Sequence, residues 1–188
     1  AAGDPGTTSI DGRINSAADT WANARAATDG ASVDTTTANM TLERSINNGP
    51  NYTIIRSFFL FDTAALTASA SISAAVFSIT GNGTATINDD SSTVHIVSSS
   101  PASNTTLALG DYDQVGSTSF ASMTHASWNT TADTYNDFTL DSNGIANISK
   151  TGVSKFGARN SRDLNNSAPT GDNRISCNSA EAVGTTSD

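Results

Sequence analysis

Lysine is almost missing from this chain of 188 residues: Lys150 and Lys155 are the only two. All Lys and Arg together number 9 against 18 Asp and Glu, for a formal net charge of -9. Such a chain repels phosphate backbones, and no segment gathers the cations needed to neutralise them, so nucleic acid is excluded as a partner. Long apolar runs are also lacking. The longest, Ile54 to Phe61, is interrupted by Arg56 and is less than half of the roughly 20 residues that a membrane-spanning helix needs. Cysteine occurs once, at Cys177, so no intramolecular disulfide can form and stability has to come from the core. In the alternation Ile175-Ser176-Cys177 the thiol falls on the side of Ile175, which reads as a small buried apolar residue rather than a reactive one.

Catalytic residue types are equally sparse. The two histidines are His95, mid-strand between Val94 and Ile96, and His125, in a loop; no Gly-x-Ser-x-Gly elbow accompanies either. Glutamate is limited to Glu43 and Glu181, which leaves little for the paired carboxylates of a glycosidase. Clustered His and Cys, the ligands of transition metals, are absent. The expectation is a non-enzyme without an obligatory cofactor.

What is abundant is Ser and Thr, more than a quarter of the chain, with Asp far ahead of Glu. Thr, Val, Ile and Phe favour strands, while Asp, Asn, Ser and Gly favour the turns between them. Strands are expected at 40–46, 54–61, 72–79, 93–97, 136–140, 155–159 and 174–177, with a turn at Gly81-Asn82-Gly83. The run 54–61 is apolar on both faces and marks a central strand. One short helix is expected near Gly144 to Lys150, where Ile145 and Ile148 lie three apart. The stretch Thr20 to Ala27, around Trp21, fits helix or strand. Stretches 98–106 and 160–172 read as surface loops. No fixed-period repeat is present, which excludes a solenoid or propeller. The spacing points to an all-β, two-sheet antiparallel jelly-roll sandwich at 11–188. Residues 1–10 precede it as an N-terminal extension, a donor strand or a linker. Phe58, Leu60, Val76, Val94, Ile96, Phe138 and Leu140 are expected to meet between the sheets.

Two kinds of binding residue remain. Calcium needs only oxygen ligands, and the turns carrying Asp89, Asp90, Asp111, Asp113, Asp137 and Asp141 offer candidates for a structural Ca2+. Aromatics that can stack on sugar rings are few, with Trp128, Tyr135 and Trp21 the candidates for a glycan face. Seven Asn-x-Ser/Thr sequons, at Asn39, Asn51, Asn82, Asn104, Asn129, Asn147 and Asn165, barely exceed the number such a composition gives by chance.

The order of segments is similar to a known family. Arg56-Ser57-Phe58-Phe59-Leu60-Phe61-Asp62-Thr63 followed by Ile72-Ser73-Ala74-Ala75-Val76-Phe77 resembles the core of DNRLRE-like jelly-roll modules of bacterial surface and phage structural proteins. Ser99-Ser100-Pro101-Ala102-Ser103, Trp128-Asn129-Thr130, Tyr135-Asn136-Asp137-Phe138-Thr139-Leu140 and Lys155-Phe156-Gly157-Ala158-Arg159 extend the resemblance. It implies a fold like that of carbohydrate-binding modules, and no catalytic residue carries over. Such modules usually finish with a further strand where this chain has Thr185-Thr186-Ser187-Asp188, so an edge left open by an absent closing strand is expected.

Together with a first residue Ala1 and the run Ala1-Ala2-Gly3, which suit the end left by a signal peptidase and equally a trimmed chain, these features predict an extracellular, cell-surface or virion location. The expected role is a structural module of an appendage, filament or fibre that associates with itself or with other subunits by strand addition. A glycan-binding or adhesive module is the alternative.

Overall fold

The computed structural model describes residues 10–47, 49–87, 92–132 and 134–180. Ten antiparallel strands dominate. They are β1 (Asp11–Ala18), β2 (Ser32–Asp34), β3 (Asn39–Asn47), β4 (Tyr52–Asp62), β5 (Val76–Ile87), β6 (Thr93–Ser98), β7 (Ala121–Thr124), β8 (Tyr135–Thr139), β9 (Val153–Asn160) and β10 (Asp172–Asn178). The all-β antiparallel sandwich expected from the composition is the architecture. Three short helices decorate it: α1 (Trp21–Ala26), α2 (Ser142–Ala146) and α3 (Ser161–Leu164).

The sheet folds on itself because it forks at β4. Strand β1 occupies one edge of β4 from Tyr52 to Phe59. The other edge is shared: β3 bonds Tyr52 to Ile55, and β9 bonds Ser57 to Asp62. At the fork β3 peels away, and the Ser57 hydroxyl donates to the Leu42 carbonyl that has lost its ladder. One branch continues β9-β6-β7, the other β3-β10-β5-β8.

Alternation along β4 then serves two cores. Phe59 and Phe61 point between the branches, where they join Phe77, Phe120, Phe138 and Phe156; edge-to-face contacts such as Phe59–Phe77 at 5.4 Å link the rings. Ile54, Phe58 and Leu60 point to the opposite face, under Ile14, Trp21, Tyr112 and Val115. Of the seven residues expected in one core, Val94, Ile96, Phe138 and Leu140 lie in this inner core. Phe58 and Leu60 lie in the outer one because the sheet is covered on both faces. Val76, at the start of β5, is 55% exposed.

Other departures have local causes. The expected turn at Gly81-Asn82-Gly83 is strand: β5 uses four steps, Gly81 to Ala85, where β10 uses two, Cys177 to Ile175. The glycines therefore make a bulge, with Gly83 at φ +89 and Gly81 so close to the Asn129 carbonyl that no Cβ fits. The strand β1, with Gly12, Asn15 and Ser16, has little strand propensity and is held by β4 and the burial of Ile14. Thr20 accepts a hydrogen bond from the Asn23 amide, which settles 20–27 as helix. The helix expected at 144–150 starts earlier, capped by Asp141, and ends at Ala146. α3 stands in a stretch read as loop; its cap Asn160 and Asp163 three residues on are an N-terminal helix signature that the abundance of Ser and Asn obscured.

Strand β10 is bonded on both flanks, to β3 and to β5, so no gap opens beside it. Among the described residues the strands with one neighbour are β2, β7 and β8. Of the proposed donor segment, residues 1–10, Ile10 is described and is held within the chain, its carbonyl accepting from the Leu60 amide at 3.1 Å; residues 1–9 and 181–188 lie outside the described residues.

Candidate functional site

Charge converges at one place on the outer face. Arg56 interrupts the apolar run of β4, and Arg159 on β9 stands beside it, because Ala158 pairs with Ser57. The Asn160 cap turns the chain into α3 and lays Asp163 over both guanidiniums. Arg56 donates from Nε and Nη2 to the Asp163 carboxylate, each at 2.8 Å, and Arg159 does the same, each at 2.8 Å. Asp163 is fully buried and the two arginine side chains are 5% exposed. Burial alone would push the Asp163 carboxyl up, but the two bidentate pairs outweigh it and hold it below the usual carboxylate range.

The remaining guanidinium protons bind loops to the sheet. Arg56 donates to the Tyr112 and Arg25 carbonyls at 3.0 and 3.1 Å, and Arg159 to the Gly116 carbonyl at 2.9 Å. Arg25 donates to the Asp163 carbonyl at 2.6 Å. The Tyr112 ring stacks under the Arg56 guanidinium at 4.2 Å, and its hydroxyl donates to the Ala24 carbonyl. Burial keeps the phenol protonated far above neutral pH. The set is a cross-brace between the sheet, α1, α3 and the loop before β7. Its sequence signal was available in the lone charge of an apolar strand, since a buried arginine requires a partner.

A second buried carboxylate lies on the inner face. Glu43 on β3 is fully buried, and His125 Nε2 stands 2.5 Å from its Oε1. The approach lacks the angles of a hydrogen bond: neither Glu43 oxygen and neither His125 nitrogen has a partner at hydrogen-bonding geometry. Burial raises the Glu43 pKa, against the opposing pull of His125. The pair is an acid and a base in contact, sealed from solvent at 0% and 1% side-chain exposure.

The residues expected to stack on sugars do not form a platform. Trp21 and Trp128 are 8% and 6% exposed. Trp21 belongs to the outer core, donating to Asn166 at 3.1 Å, and Trp128 to the inner core against Phe138. Both are drawn in because each is the large apolar residue beside a short helical turn that packs on the sheet. Tyr135, on the edge strand β8, is exposed. The aspartates are likewise dispersed. Asp111 is buried, its carboxylate accepting from the Ala102 and Ala108 amides. Asp113 accepts from Gln114, Asp137 from Ser78 at 2.6 Å, and Asp141 from the Gly144 amide at 2.8 Å. Asp89 and Asp90 lie outside the described residues. Among the described residues no three acidic, His or Cys side chains gather at one point; Asp111 and Asp141 bind local backbone amides, and Asp137 bonds across from β8 to β5. Cys177 is buried in the inner core, and burial pushes its thiol pKa up.

A groove opens on the outer face, beyond the end of the outer core. Its floor is Thr93 and His95 of β6 with Ser122 and Thr124 of β7, its wall is Ser161 and Arg162 of α3, and its volume is about 640 Å3. His95 pairs across the strands with Arg159, which places the groove next to the ionic cluster. Compared with known proteins, the chain matches no family model, no curated protein and no solved structure.

Proposed function

We propose that the chain is a non-catalytic structural module of an extracellular appendage, filament or virion fibre. The observation that carries this reading is the buried cross-brace, in which Arg56 and Arg159 fasten the carbonyls of Arg25, Tyr112 and Gly116 to a sheet that has no disulfide. An exposed scaffold needs its loops held in one geometry, and here guanidinium hydrogen bonds do what disulfides do elsewhere. The resemblance of Arg56 to Phe77 to DNRLRE-like modules supports the same reading. So does the sealing of the acid–base contact Glu43–His125 away from any substrate.

Such a module associates through its strand edges, of which β8 carries the exposed Tyr135 and lies beside the exposed Val76. Electron microscopy and mass measurement of the purified chain over a range of concentrations test the proposal. Filaments or a defined oligomer are expected, and deletion of residues 1 to 8 should leave a soluble monomer. A particle that stays monomeric throughout counts against the module's self-association, and a deletion variant that still assembles rules out the N-terminal segment as donor.

A further inference from the structure

An asparagine followed by glycine is a chemical weak point, because glycine has no side chain to keep its amide nitrogen away from the asparagine carboxamide. The chain has three such pairs, Asn48-Gly49, Asn82-Gly83 and Asn143-Gly144. Asn48 lies outside the described residues. The fold sets the other two pairs in opposite surroundings.

Asn143-Gly144 is guarded. It lies in the first turn of α2, where the Asp141 carboxylate accepts from the Gly144 amide at 2.8 Å. Gly144 is also buried, with the Phe120 side chain 2.9 Å from the position a Cβ would take, so the nitrogen that would attack is both engaged and packed in place. Asn82-Gly83 is open. It sits in the bulge of β5, where Asn82, Gly83 and Thr84 have no Cα partner on β10 between the pairs Gly81–Cys177 and Ala85–Ile175. Gly83 is exposed, has φ +89 and has nothing within 4 Å of a Cβ position, so its peptide has room to turn and water reaches it. The Asn82 side chain is anchored through one atom: Nδ2 donates to the Cys177 carbonyl at 2.7 Å, whereas Oδ1 has no partner.

We propose that Asn82 is a site of spontaneous deamidation. The Gly83 nitrogen, having lost its proton, attacks Cγ of Asn82 and closes a cyclic imide. The bond from Cγ to Nδ2 breaks, and the carboxamide nitrogen leaves as ammonia with the proton that Gly83 gave up. Water then opens the imide at either carbonyl, its hydroxyl going to the carbon and its proton to the nitrogen, and leaves aspartate or isoaspartate at position 82. The product reverses the anchor of this side chain. A carboxylate oxygen stands where Nδ2 gave its proton to the Cys177 carbonyl, so acceptor meets acceptor across the seam between β5 and β10. In isoaspartate the main chain also runs through the side-chain carbon, which lengthens β5 at its bulge.

The experiment is to age the purified chain in mildly alkaline buffer, folded and in parallel unfolded in urea, and to map both samples by chymotryptic digestion and mass spectrometry. In the folded protein Asn82 should deamidate at least about tenfold faster than Asn143, the factor that a hydrogen bond to a charged acceptor is worth. In urea the two rates should converge, because the guard on Gly144 is gone. Aged protein and the Asn82→Asp variant should both melt below the fresh native protein, through the lost bond to the Cys177 carbonyl. The proposal is overturned if Asn82 of the folded protein reacts no faster than Asn143, or if the same ratio of rates persists in urea. An Asn82→Asp variant that melts with the native protein would overturn the predicted damage to the seam.

Discussion

Asp163 and Glu43 are both fully buried carboxylates, and the fold treats them in opposite ways. Asp163 receives four hydrogen bonds at 2.8 Å from two arginines and is held ionised. Glu43 has one histidine at close approach, no well-formed hydrogen bond, and a pKa that burial raises. The same desolvation acts on both, so the difference lies in how many donors the backbone delivers. On the outer face the fork at β4 puts Arg56 beside Arg159, and α3 supplies the carboxylate in the geometry of a bidentate pair. On the inner face β3 leaves the β4 ladder and brings Glu43 to His125, with the Asn160 side chain as the other group that favours its ionised form. Burial by itself therefore says little about whether a charge stabilises a fold.

The comparison breaks most visibly at Asp163. Asp163→Asn leaves two buried guanidiniums without a counter-charge and should cost about 3–5 kcal/mol in urea unfolding, the penalty for removing one partner of a buried ion pair. A loss under about 1 kcal/mol would mean that water replaces the carboxylate and that the brace is dispensable. Asp163 has a depressed pKa, so its contribution is present above the ordinary aspartate range and is lost only as pH falls through its lower folded value. Next in size, Leu60→Ala should cost about 2–5 kcal/mol through loss of packing in the outer core next to the brace. A neutral result would show that the outer face of β4 is not a packed core.

Much of this architecture is legible in the sequence wherever apolar spacing is strong. Strands β3, β4, β6, β8, β9 and β10 coincide with the expected runs because their Val, Ile, Leu and Phe residues have no alternative use. The segments that were not legible draw their structure from tertiary contacts. β1 is held by the edge of β4, the Gly81 bulge by the approach of the Asn129 carbonyl, and β7 by β6. The assignment of Phe58 and Leu60 to the inner core failed because alternation tells which residues share a face, not which face meets the second layer. The ionic cluster was hidden for a related reason. Arg56, Arg159 and Asp163 are 107 and 4 residues apart in their pairings, and only the fork in the sheet brings the first to the other two. The tryptophans showed the opposite error, since large aromatic side chains in Ser- and Asn-rich stretches read as exposed yet fill the two cores.

The contrast between the two carboxylates is tested most directly at Glu43, by urea unfolding of the native protein and of Glu43→Gln from about pH 5 to about pH 9. A raised folded pKa means that the Glu43 contribution is present below the ordinary glutamate range and is lost as pH rises through the folded value. The expected result is a variant whose stability relative to the native protein improves steadily as pH rises. A difference that stays flat, or that shifts in favour of the native protein at high pH, would contradict the assignment and would mean that Glu43 is held ionised as firmly as Asp163.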